Sequence, residues 1–204
     1  MSINFKGITK KVPFSKIDLK EYLEFYKKDI CNFTFKYILE DETEIIIDFR
    51  ERNFGHLVGL HKFKRIKSYK KSEEMNDDIL KGKITFSSLY SANTDFVDRN
   101  KELKDRLTYF PTLKTLLEDT ALKYDLNVIW NSKIEFSFLL KTDKISILVY
   151  LAVKEIKNNK KICVPVSLLV DRNDRFSKMN LKKLSITQKV IEPRKQYKIL
   201  IVYN

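Results

Sequence analysis

The sequence predicts an α+β fold: a helical N-terminal half carrying one β-hairpin, packed on a C-terminal antiparallel sheet of four to five strands. Three observations predict it. Apolar residues recur at helical spacing through most of the first 120 positions. One alternating stretch, 33–50, interrupts them. From Asn127 onward the pattern changes to short apolar, β-branched runs separated by turn residues. The length of 204 residues fits one domain, 1–204, with 1–125 mainly helical and 126–204 forming the sheet. A hydrophobic content of 43% is enough for a core.

The first helix is expected over 13–30, opened by Pro13 or Ser15, with Ile17, Tyr22, Phe25, Tyr26 and Ile30 on its apolar side. Phe33, Phe35 and Tyr37 alternate with Thr34, Lys36 and Ile38, Glu40-Asp41-Glu42 makes a polar turn, and 44–50 is β-branched; together these make the hairpin. Ser72 to Leu80 reads as a short helix, with Ser72 as N-cap and Gly82 just past its end. Residues 101–120 carry Leu103, Leu107, Phe110, Leu113, Leu116 and Leu117 on one face, with Pro111 kinking or splitting the helix. The strands are expected at 134–140, 145–154, 161–170, 183–191 and 197–203.

Composition excludes several functions. Four glycines (Gly7, Gly55, Gly59, Gly82) cannot build a Walker loop or a dinucleotide-binding turn. Cys31 and Cys163 lie far apart, which excludes a C-x-x-C zinc pair and a disulfide framework, and both read as buried thiols. No apolar run is long enough to span a bilayer, and residues 1–11 lack the apolar core of a secretory signal, so a cytoplasmic protein without membrane contact is expected. Glu73, Glu74, Asp77 and Asp78 read as solvated charge on one short helix, so neither a metal nor a cofactor is expected. The net charge of +13 favours an acidic partner, either nucleic acid or an acidic protein.

Histidine is the side chain best suited to proton transfer near neutral pH. The chain has two, His56 and His61, and Gly55 and Gly59 flank His56. On a helix their spacing puts them about 140° apart, and on a strand it puts them on opposite faces, so they are poor joint metal ligands. His56 is either a proton-transfer group or part of a tight structural turn. The stretch 62–71 interleaves Lys62, Lys64, Arg65, Lys67, Lys70 and Lys71 with Phe63 and Tyr69. Cations for phosphates beside aromatics for bases fit RNA contact; a solvated basic segment is the alternative. Arg106 and Tyr109 share a helix face, where Arg106 either clamps a phosphate or pairs with Glu102. Ser167 sits inside an apolar strand, and Lys141 follows the 134–140 strand.

The segment Asn53-Phe54-Gly55-His56-Leu57-Val58-Gly59-Leu60 resembles the N-F-x-H-L-x-G-[LV] motif of a phage- and mobile-element-associated family of Barnase–EndoU–colicin–RelE-like nucleases. Its context is similar as well. A helix and a hairpin precede it, and a short helix ending near Gly82, an Ile84-Thr85-Phe86 step, Lys104-Asp105-Arg106-Leu107 and Val164-Pro165-Val166-Ser167 follow. The likeness runs over roughly residues 20–170.

The resemblance implies a helical part packed on a four-stranded antiparallel sheet and metal-independent endoribonuclease chemistry. It carries His56, Arg106 and Ser167 over as site residues, while His61 and Lys62 rest on charge and proximity alone. In the mechanism expected for metal-free RNA cleavage, His56 is acid or base, Arg106 with Lys62 or Lys141 holds the phosphate, and Tyr109 or Ser167 orients the substrate or relays a proton. RNA, possibly tRNA or mRNA, is then the substrate. A toxin or anti-phage role adds an acidic antitoxin or inhibitor as partner. The alternative function is a non-enzymatic basic module that binds nucleic acid or protein.

Overall fold

The N-terminal hairpin does not lie apart from the C-terminal strands. It is built into their sheet. The computed structural model describes residues 3–125, 137–145, 148–156, 159–173, 175–179 and 181–194.

Helix α1 (Leu19–Phe25) begins behind Asp18, whose Oδ1 accepts the backbone N–H groups of Lys20 and Glu21 at 2.8 and 3.1 Å. Pro13 and Ser15 therefore do not open it. Residues 14–16 form a separate 3-10 turn, and Ile17 is extended. After α1 the chain loosens into a π-type turn, Tyr26–Cys31. The hairpin follows as β1 (Phe33–Leu39) and β2 (Glu44–Ile47).

Short helices come next: α2 (Phe54–Leu57), α3 (Lys64–Lys67), α4 (Ser72–Leu80), α5 (Phe86–Ser91) and α6 (Thr94–Arg99). Ser72 is the first residue of α4 rather than its cap. Gly82 ends α4 as expected. At φ 72° it donates to Ile79 O at 3.0 Å, while Lys83 N donates to Asp78 O at 2.9 Å. This paired closure needs a left-handed residue at its centre. Pro111 splits the long helix into α7 (Lys101–Tyr109) and α8 (Leu113–Asp119), joined by one 3-10 turn.

The chain then forms β3 (Leu122–Asp125), β4 (Phe138–Lys141), β5 (Leu148–Ile156), β6 (Asn159–Asp171), the one-turn α9 (Arg175–Lys178) and β7 (Lys183–Pro193). The strand expected at 197–203 and the start of that expected at 134–140 lie outside the described residues.

The fold remains α+β, but the four-to-five-stranded antiparallel sheet does not form. Seven strands close a mixed barrel in the order β1-β2-β6-β5-β4-β3-β7. β1 pairs antiparallel with β7, and β2 pairs parallel with β6 through Ile46↔Ile162 and Ile47↔Cys163. An isolated hairpin would leave both outer edges unpaired, and barrel closure satisfies them. β3 carries no sequence signal of its own, because four residues are too few to show alternation.

One barrel face, with Phe35, Tyr37, Leu151, Val153 and Leu168, joins the helices in the main core. The other face carries Tyr124, Leu139, Tyr150 and Ala152 under Phe176 of α9. Tyrosine hydroxyls pin the helices to one another and to the barrel: Tyr22 to Leu107 O at 3.0 Å and Tyr37 to Leu117 O at 2.8 Å. Both hydroxyls are buried, so each needs its acceptor. The helices that carry the site, α2 and α7, both pack on β6.

Candidate active site

Helix α2 is one turn long and is held by its apolar side. Phe54, Leu57 and Val58 are fully buried, and Phe54 meets Phe110 edge-on at 5.6 Å. At helical spacing these three share a face, which turns His56 outward. His56 is exposed.

Each neighbour of His56 in the motif has a structural task. Asn53 Oδ1 accepts the Arg50 N–H at 2.9 Å and fixes the entry to α2. A Cβ on Gly55 would sit 2.9 Å from Met75 Cε, so glycine seats α2 close to α4. Gly59 lies in the left-handed region at φ 83°, and a Cβ there would come within 2.8 Å of Leu103 Cδ1 and 3.4 Å of Arg106 Cδ. Leu60 is fully buried. His56 is the one residue of the motif whose side chain is exposed rather than engaged in the core or the turn.

Gly59 also reverses the chain into a 3-10 turn, Leu60–Lys62. The reversal brings His61 back against His56. Their rings stack with centroids 4.6 Å apart and planes at 28°. Nδ1 of His61 is enclosed and has no hydrogen-bond partner among the described residues.

Arg106 of α7 runs its side chain along Gly59 and is only 3% exposed. Among the described residues its guanidinium has no hydrogen bond and no ion pair. The expected partner, Glu102, is held by Lys62 Nζ at 3.1 Å and reaches Arg106 only through space. Burial disfavours the charged form of Arg106, yet a guanidinium stays protonated in proteins.

The two imidazoles respond to this setting. Partial desolvation of the ring, then the Arg106 charge, holds His56 below the ordinary imidazole value. Burial, then His56 and Arg106, lowers His61 to about 4; the Gly55 backbone opposes the shift without cancelling it. At neutral pH both rings are predominantly neutral; His56 is placed to accept a proton, whereas His61, lowered to about 4, is a weak base.

A groove of about 180 Å³ opens beside the rings, lined by Gly55, His56, His61, Ile66, Tyr69 and Met75, with Arg52, Lys67, Lys70 and Lys71 around it. Its lining contains no carboxylate. Among the described residues no three His, Cys, Asp or Glu side chains converge as metal ligands would.

The structure thus brings together His56, His61 and Arg106, with Lys67 at the groove and Lys62 tied alongside by Glu102. Lys64 and Arg65 are exposed on α3, and Arg65 Nη2 donates to Lys83 O at 3.2 Å. The other three candidates lie apart from this group. Tyr109 is buried, and its charged neighbours are Arg172 and Asp105, which form a buried-edge ion pair. Ser167 pairs with Ala152 across β5 and β6 and so shares its face, that of the second cluster, while α2 packs in the main core. Lys141 bonds Asp143 at 3.2 Å and lies opposite Tyr150, also of the second cluster. Arg52 is a groove residue that sequence reasoning missed. Its only signal is a positive charge directly before the motif.

Paired imidazoles, a buried cation and a basic groove lined by no carboxylate are chemically suited to a phosphate-bearing substrate. The chain belongs to the phage-Barnase-EndoU-ColicinE5/D-RelE like nuclease4 family, whose sequence profile matches residues 18–202. It is thus a member of a phage-associated nuclease family, and its substrate class is nucleic acid. No curated protein and no solved structure matches the chain significantly. Among the described residues no helix is long and apolar enough to cross a membrane.

Proposed function

We propose that this protein is a metal-independent endoribonuclease with His56 as its proton-transfer group. The observation that carries this reading is the stacked His56–His61 pair beside Arg106, a buried cation without a partner among the described residues. Among the described residues the guanidinium has donors free of protein hydrogen bonds and only the distant Glu102 charge to balance it, so a phosphodiester seated over the pair would gain a charge-assisted contact.

His56, neutral and exposed, takes the proton of the ribose 2′-OH. The 2′-oxygen attacks the adjacent phosphorus, the bond to the 5′-oxygen breaks, and that oxygen takes a proton from solvent water, while protonated His56 returns its proton to solvent. The products are a 2′,3′-cyclic phosphate and a 5′-hydroxyl. Arg106 acts from beneath as an electrostatic and positioning residue, and Lys67 with its neighbours binds the flanking phosphates. His61 backs the His56 ring, and the Arg106 charge helps keep His56 neutral.

RNA, whether tRNA or mRNA, is the substrate in this reading, and the protein is a cytoplasmic toxin or anti-phage effector. Its inhibitor is then an acidic protein that covers Arg52, Lys67, Lys70 and Lys71. The test incubates wild-type and His56→Ala protein with total RNA in excess EDTA. Cleavage by the wild type alone supports the reading. Salt-sensitive RNA binding by both proteins, with cleavage by neither, supports a binding module instead.

A further inference from the structure

The groove beside the histidines extends past what proton transfer requires. One side is apolar and aromatic: Ile66 and Met75 are buried, and Tyr69 is half-buried against the core. The Tyr69 ring is held in place, because its hydroxyl donates to Asp78 Oδ2 at 2.7 Å. Around this patch stand Arg52, Lys67, Lys70 and Lys71. The volume of about 180 Å³ is below the roughly 300–1,000 Å³ typical of drug-sized ligand pockets, so it suits one flat ring system. His56 and His61 form one wall, so whatever enters is continuous with the reacting phosphate.

We propose that this groove is a nucleotide subsite. It holds one unpaired RNA base against Tyr69, with the adjoining phosphates on Arg52, Lys70 and Lys71. A fixed aromatic ring ringed by cations is what single-stranded nucleic acid binds, since every base has a stacking face and every linkage a negative charge. The inference rests on the nuclease reading and adds to it: the substrate is single-stranded at the cut, and Tyr69 is a specificity-determining residue.

The test measures binding of a non-cleavable 2′-O-methyl trinucleotide at fixed salt. Comparison probes are the same trinucleotide with its central base removed, and polyglutamate. The base-bearing probe is expected to bind wild type more tightly than either. Tyr69→Ala is expected to remove that preference, weakening binding roughly 5- to 150-fold, the range for loss of one stacked base. Tyr69→Phe keeps the ring without the Asp78 bond and is expected to retain the preference. Tyr69→Trp gives an independent readout, with fluorescence quenched by the base-bearing probe and not by the abasic one.

Equal binding of abasic and base-bearing probes, equal binding of polyglutamate, or an unquenched Trp variant would overturn the subsite. Base-dependent binding without any RNA cleavage leaves the subsite standing and removes the catalytic reading. Cleavage without base dependence does the reverse.

Discussion

The side chain of Arg106 lies against Gly59, its Cδ 3.4 Å from where a Cβ on that glycine would be. This contact places a buried guanidinium under a turn that also carries two histidines, and it links the motif to α7.

Gly59→Ala tests the turn. A non-glycine residue at φ 83° costs about 1–2 kcal/mol, and the new methyl meets Leu103 Cδ1 at 2.8 Å. For a chain of this length the thermal midpoint is expected to fall by about 2–4 °C per kcal/mol, with cleavage falling as the rings separate. An unchanged melting curve would show that the left-handed turn is not needed.

Arg106→Met tests the buried cation. Replacing an unpaired buried charge with an apolar side chain of similar length leaves the thermal midpoint equal to or above wild type. Cleavage is expected to drop about 10²–10³-fold, the usual loss for one preorganised electrostatic contact. Loss of both stability and activity would mean that the guanidinium is structural.

The pH profile follows from the depressed imidazoles. If neutral His56 is the base, the rate falls with decreasing pH through the His56 pKa, which lies below 6.5. Arg106→Met removes one cause of that depression, so the acidic limb is expected to move to higher pH. Stability has its own window. The unfolded chain protonates His61 near 6.5 and the folded chain only near 4, so the protein loses stability as pH falls between these values. Denaturant titrations at several pH values measure this.

Ser167→Ala, Tyr109→Phe and Lys141→Ala are expected to leave cleavage unchanged, because these residues lie on the second-cluster side or beside the Asp105–Arg172 pair. Single-turnover rates check each. A large loss from any one would place it in the reaction.

Local signals carried much of this molecule. Gly82 stops α4, Pro111 divides α7 from α8, and the alternation of 33–39 makes β1. The basic stretch 62–71 does border the candidate site through Lys67, Lys70 and Lys71. What stayed hidden is non-local. Nothing in Ile46 or Ile47 shows that they pair with residues 162 and 163 to close a barrel. The spacing of His56 and His61 implies divergent rings only if one helix or strand continues through both. Gly59 breaks that continuity at a left-handed residue, and the rings meet. The sequence places Ser167 inside an apolar strand, but no local signal reveals which face of that strand α2 covers.

The most direct test is end-group analysis of RNA cut by the purified protein in EDTA, using an oligonucleotide and its counterpart with a single 2′-deoxy sugar at the cleaved linkage. Cutting of the all-ribose strand to a 2′,3′-cyclic phosphate, with no cutting at the deoxy position and none by His56→Ala, is the predicted result. Cutting of the deoxy linkage, or full activity in His56→Ala, would contradict the account.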